Sequence, residues 1–119
     1  MASEPDPALI LDRLFAVIED RKQQRPDGSY VVQLLDGGVP AIGAKIREEA
    51  DEVVEAGAEG DAAHLAHEVA DLLFHTWIMM AREGVSPGDV YAVLEDRFGT
   101  GGLVEKASRG AERGEPDAG

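Results

Sequence analysis

The sequence predicts an all-α chain, four helices joined by short connections and folded as an antiparallel bundle. Three observations predict it. Apolar residues recur at i, i+3, i+4 and i+7 in successive stretches. Breaks rich in Gly, Pro and Asp separate those stretches. Good helix-capping residues stand where two of the stretches begin.

Residues 1–7 read as a flexible lead-in, polar and acidic. The first helix is expected over residues 8–22, where Leu11, Leu14, Phe15 and Ile18 form one stripe and Asp12, Arg13, Glu19 and Asp20 fill the other face. Arg25-Pro26-Asp27-Gly28 should end it. Residues 29–35 (SYVVQLL) read equally as a short strand or an extended loop. After Asp36-Gly37-Gly38, Pro40 suits the first turn of a second helix, running to about residue 58 with Ile42, Ile46, Ala50, Val53 and Val54 at helical spacing. Gly60 stops that helix and Asp61 caps the next, over residues 62–83, with Leu65, Val69, Leu72, Leu73, Ile78 and Met79 on its apolar side. Gly84 follows. Ser86-Pro87-Gly88-Asp89 then combines an N-cap, Pro at the first helical position and an acid three residues on, opening a fourth helix that ends near Phe98. One all-α domain over residues 8–109 and a disordered tail over 110–119 complete the organisation.

Composition narrows the function. The 119 residues suit one domain with a thin core, which burial against a second subunit would thicken. No cysteine is present, which excludes disulfides and thiolate metal sites. A net charge of -13 argues against nucleic-acid binding, which uses basic patches to displace counterions. No signal peptide or membrane-length apolar run stands in the chain, so a cytoplasmic protein with no membrane partner is expected.

The acid is concentrated. Residues 48–71 hold nine Asp and Glu and no Lys or Arg. Glu49 and Glu52 are i, i+3, as are Glu68 and Asp71, and Glu48 and Glu52 are i, i+4. Residues so spaced project from one side of a helix, so each helix offers a carboxylate pair at one height. Such pairs repel, and a divalent cation converts that repulsion into binding. Mg²⁺ suits best, being hard, oxygen-seeking and content with a few carboxylates plus waters and phosphates. It would clamp phosphate oxygens and acidify an attacking water. The bland reading is a solvated Glu-rich face. Against it, Glu68 and Asp71 flank Val69, Leu72 and Leu73 on the most apolar helix, where buried acids need partners this stretch does not supply.

Histidine-containing sites fit less well. A di-iron bundle wants Glu-x-x-His, and three residues after Glu49 and Glu68 stand Glu52 and Asp71. His67-Glu68-Val69-Ala70-Asp71 fails the zinc-protease pattern at its last ligand. His64, Glu68, Asp71 and His75 do share one face; they read either as a zinc set or as histidines that support the acids or sit at an interface.

Glu48-Glu49-x-x-Glu52 followed by Glu68-x-x-Asp71 on successive helices resembles the signature of the MazG-like all-α nucleotide pyrophosphohydrolases. The flanks, among them PDGSY (26–30), KIREE (45–49), EVADLLFH (68–75) and EKASR (105–109), are similar to the phosphoribosyl-ATP pyrophosphatase branch of that superfamily, over about residues 9–109. The resemblance implies Mg²⁺-dependent hydrolysis of phosphoribosyl-ATP to phosphoribosyl-AMP and pyrophosphate, the second step of histidine biosynthesis, with Mn²⁺ as a substitute ion. It implies a homodimer whose bundles are completed across subunits, and a small-molecule nucleotide as the partner. It implies Glu49, Glu52, Glu68 and Asp71 as metal ligands, with Glu48 a further ligand or the base that orients water, so that Glu48, Glu49 and Glu52 carry the catalytic work. Arg21, Lys22, Lys45, Lys106 and Arg109 are the basic residues that would meet substrate phosphates. Val31, Phe74 and the Glu55–Ala58 end of the second helix depart from the family pattern, where Thr, Tyr and a Lys are common. Relatives fused to the next enzyme of the pathway use cysteine zinc ligands, so a single-activity chain is expected. A house-cleaning nucleotide pyrophosphohydrolase and a non-catalytic helical dimer are the two other readings.

Overall fold

The computed structural model describes residues 6–99. Pro7–Leu9 form a short 3-10 turn that runs into α1 (Ile10–Gln24), followed by α2 (Tyr30–Glu59), α3 (Ala62–Glu83) and α4 (Pro87–Phe98). The described residues contain no strand, so the all-α class holds. Residues 1–5 of the expected lead-in and the expected tail at 110–119 lie outside the described residues. No helix is long and apolar enough to cross a membrane among the described residues.

The chain forms two compact units that meet in sequence at Val85 and Ser86. In the first, α2 and α3 pack extensively and α1 lies against both. Ile18, Ile42 and Ile78 are its largest fully buried side chains, joined by Val31, Leu34, Ala56, Trp77, Met80 and Ala81. Two polar ties fasten α1 to α3: the Trp77 indole donates to the Leu11 carbonyl at 3.0 Å, and Lys22 Nζ donates to the Ala81 carbonyl at 2.8 Å. In the second unit, α4 starts with the capping box expected from sequence. Ser86 Oγ accepts from the Asp89 N–H, and the Asp89 carboxylate accepts from the Ser86 N–H.

Residues 30–37 are helical, neither strand nor loop. Ser29 is an N-cap, its hydroxyl accepting from the Val32 N–H at 3.3 Å. Val31 and Leu34, three apart, are both buried on one side of the new turn. Packing has overridden the β propensity of the Val pair. The Gly37-Gly38 break is nonetheless real. Gly38 takes φ 68°, ψ -164° inside the span of α2, a conformation a Cβ would strain, and Pro40 enters the following helical run in its first turn. A forked ion pair from Arg25 to Asp36, at 2.8 and 2.9 Å, fastens the preceding turn to this kink.

The α2–α3 turn is two residues of well-matched chemistry. Gly60 closes α2 in the left-handed region, φ 74°, and Asp61 accepts from the His64 N–H at 3.1 Å. Replacing Asp61 by Ala should destabilise the fold by about 1 kcal/mol, read as a lower denaturation midpoint in urea. An unchanged midpoint would mean that water satisfies the end of α3 equally well.

Candidate metal centre

The turn at Gly60-Asp61 decides which carboxylates meet. Glu52 lies eight residues before Gly60 and Glu68 eight after it, so both stand about 12 Å from the turn, on antiparallel helices. Glu49, one turn further along α2, lies on the same side. Glu49, Glu52 and Glu68 each bring a carboxylate oxygen to within 4.8 Å of the other two.

Glu49 and Glu68 are 8% and 7% exposed, the most buried acids among the described residues. Oε2 of each is buried with no hydrogen-bond partner. Acids so placed demand either a proton or a cation. The Glu49 carboxyl is pushed up to about 7, first by burial, then by hydrogen bonding with Glu68 and Glu52 and by the charge of Asp71. Glu52 is raised as well, chiefly through its hydrogen bond with Glu68. That same bond holds Glu68 below its ordinary value, helped by Glu49 and by the imidazoles of His64 and His67. Without a metal Glu49 therefore holds its proton up to near neutrality.

Asp71 stands beside this trio. Its carboxylate groups with Glu68 and His67, whose Nε2 lies 3.3 Å from Asp71 Oδ2. Glu48 is exposed and faces Lys45 Nζ at 3.5 Å, so the structure separates it from its neighbour Glu49. Lys45 is the basic candidate nearest the acids, its ammonium held charged by Glu48 first and also by Tyr30 and Glu49. Arg21 pairs with Asp20 at 3.0 Å. Lys22 is committed to the Ala81 carbonyl, ten residues or about 15 Å further along α3 than Asp71. Lys106 and Arg109 lie outside the described residues.

The four-residue set of His64, Glu68, Asp71 and His75 does not converge. His64 bridges Glu59 at 3.2 Å and Glu68 at 3.3 Å. His75, 5% exposed, has Nδ1 against the Asp71 carbonyl at 2.9 Å. A carbonyl only accepts, so Nδ1 carries the proton and Nε2 accepts from the Tyr30 hydroxyl at 2.7 Å. His75 Nδ1 is also 3.9 Å from Glu49. Tyr30 stacks on Phe74, with ring centroids 6.2 Å apart. Sequence reasoning assigned Tyr30 no part here. Its one signal was its place at the end of the family-like PDGSY segment, residues 26–30.

Paired helices with acids closed between them, in a chain that the phosphoribosyl-ATP pyrophosphohydrolase family model matches, place it in the class of all-α pyrophosphohydrolases called MazG-like. Within that class the chain belongs to the phosphoribosyl-ATP pyrophosphohydrolase family, which matches residues 11–98. It is 47% identical over 112 residues to the phosphoribosyl-ATP pyrophosphatase of Rhodopirellula baltica, covering 92% of this chain and 93% of that one. It is 50% identical over 100 residues to the phosphoribosyl-ATP pyrophosphatase of Parvibaculum lavamentivorans, covering 84% and 92%. The histidine biosynthesis bifunctional protein HisIE of Deinococcus radiodurans is 50% identical over 101 residues, which are 83% of this chain and 46% of that protein.

Proposed function

We propose that the chain hydrolyses phosphoribosyl-ATP to phosphoribosyl-AMP and pyrophosphate in histidine biosynthesis, with Mg²⁺ bound by Glu49, Glu52, Glu68 and Asp71. The observation that carries the proposal is the pair of buried, unpartnered oxygens, Glu49 Oε2 and Glu68 Oε2, in an all-oxygen trio with Glu52. That donor set fits a hard divalent ion. Bound there, the ion supplies positive charge for phosphate oxygens and acidifies a coordinated water.

The chain's own residues supply the rest. Glu49 and Glu68 hold their carboxylates buried and close together, where water screens their charge poorly. Glu48, exposed one residue before Glu49 and paired only at the surface with Lys45, would orient the attacking water and take its proton. Lys45, one turn before Glu49, is placed to meet a substrate phosphate in exchange for its surface pairing with Glu48. The protein works in the cytoplasm as a homodimer. Supporting the dimer, Val54 on α2 is 71% exposed and Val69 on α3 is 38% exposed, although both fall on stripes that helical periodicity assigns to the interior.

The test is pyrophosphate release from phosphoribosyl-ATP, dUTP, dCTP and ATP, each with and without Mg²⁺. Metal-dependent release from phosphoribosyl-ATP alone is the expected result. Release from a deoxynucleotide instead would move the chain to house-cleaning chemistry, and release from none would leave a non-catalytic helical protein.

A further inference from the structure

We propose that His67, Glu68 and Asp71 form a second cation position next to the glutamate trio, with mixed nitrogen and oxygen donors, which takes a borderline first-row ion such as Zn²⁺ in preference to Mg²⁺. It rests on the proposed function only in sharing Glu68 and Asp71 with the Mg²⁺ ligands.

The geometry comes from one stretch of α3. His67 and Asp71 are i, i+4, so their side chains rise from neighbouring points on one face. Their facing atoms, Nε2 and Oδ2, stand 3.3 Å apart. Two ligands on a tetrahedral ion with bonds of about 2.05 Å are separated by about 3.3 Å. On an octahedral Mg²⁺ with bonds of similar length the separation of adjacent ligands is nearer 2.9 Å. The His67–Asp71 spacing therefore matches the tetrahedral ion more closely than the octahedral one.

Glu68 supplies the third donor. Its carboxylate belongs to both clusters, with Glu49 and Glu52 on one side and with His67 and Asp71 on the other. It is 7% exposed and its Oε2 has no partner, so one carboxylate has oxygens to serve two adjoining ions. The other histidines leave Glu68 Oε2 unclaimed. His64 is held between Glu59 and Glu68, and His75 Nε2 is occupied by Tyr30. The His67 side chain is 72% exposed, which leaves the position open to an ion from solvent and a fourth site free for water.

Donor chemistry sets the preference. Imidazole favours Zn²⁺ over Mg²⁺, whereas the trio of carboxylates offers only oxygen. The two positions thus differ in the ion they select, while Glu68 is shared between them.

The experiment is a Zn²⁺ titration of the full, metal-free chain against a chromophoric chelator. It compares the natural sequence with His67→Asn and Glu52→Gln, and follows the His67 imidazole resonances by NMR. His67→Asn should weaken Zn²⁺ binding at least about tenfold, since losing even an outer partner of a ligand costs 10- to 100-fold. Glu52→Gln should keep it within about threefold, and the His67 Nε2 resonance should move on Zn²⁺ addition. Unchanged affinity in His67→Asn, or an imidazole that does not respond, overturns the proposal. His67 is largely exposed, so a loss caused by unfolding is excluded by its far-UV CD. A parallel Mg²⁺ titration separates the two readings. Failure of Glu52→Gln to weaken Mg²⁺ counts against the trio as the Mg²⁺ site and leaves the Zn²⁺ result standing on its own.

Discussion

Glu52→Gln is expected to lower metal-dependent pyrophosphate release at least about a hundredfold while the helical CD spectrum stays the same. Glutamine keeps the size and one oxygen of the side chain but removes its charge. Partners that only hydrogen-bond a ligand are worth 10- to 100-fold in affinity or activity, so a direct ligand should reach at least the top of that range. Glu52 is half-buried rather than part of the core, which is why the fold should survive. Its carboxylate is the component the trio gains from α2 one turn beyond Glu49. Asp71→Asn tests the α3 side in the same assay and should also cause a large loss. Activity within tenfold of the natural sequence in Glu52→Gln would remove the case for the trio as the working site.

The second large effect is on stability. The metal-free chain should be more stable at pH 5 than at pH 8, by up to about 3 kcal/mol. Glu49 rises from 4.5 to about 7 on folding, and each pH unit is worth about 1.36 kcal/mol. Allowing for solvent screening on the open side of the cluster leaves about 2 kcal/mol. The sign follows from the direction. A group raised in the fold binds its proton more tightly there, so its contribution is fully present below 4.5 and is lost as pH rises through about 7. Above that, a buried carboxylate is charged and unpartnered. Mg²⁺ at pH 8 should reverse the loss, because an ion bound only by the folded state stabilises it by about 2.7 kcal/mol at a hundred times its Kd. Urea denaturation at the two pH values, in chelator and in excess Mg²⁺, measures both. Glu49→Gln should flatten the pH dependence in chelator. A slope that persists unchanged in that variant would assign the effect to another group, His64 first, whose imidazole is also raised, mainly by its hydrogen bond to Glu59.

This coupling of stability to function is local. Glu49 and Glu68 are buried where α2 and α3 pack, Glu49 midway between Ile42 and Ala56 in the α2 register and 3.9 Å from His75. Apolar residues there would make a more stable protein with no ion site.

How much of this was legible beforehand depends on the range of the interaction concerned. Helix ends were legible because their signals are local. Gly60, Asp61, Gly84 and the Ser86–Asp89 box act within a turn of themselves, and α3 and α4 fall where those residues put them. The carboxylate pairs were legible for the same reason, since i, i+3 spacing on a helix fixes a shared face whatever the helix packs against. Residues 29–35 were not legible, because Val31-Val32 favours a strand by local preference and only burial of Val31 and Leu34 against the rest of the unit makes it a helix.

By itself, then, the sequence determined the all-α class, the placing of three helices and the presence of acids in facing pairs. The tertiary structure alone decided which acids are buried. Glu48 and Glu49 are adjacent in the chain, yet one is paired with Lys45 at the surface and the other has an oxygen sealed from any partner. It also decided that Asp71 sides with His67, and that His75 turns to Tyr30, 45 residues away. The physical reason is that periodicity specifies a stripe about 100° wide. The rotation of one helix against another, set by packing across the whole interface, selects the residues within that stripe which lose contact with water.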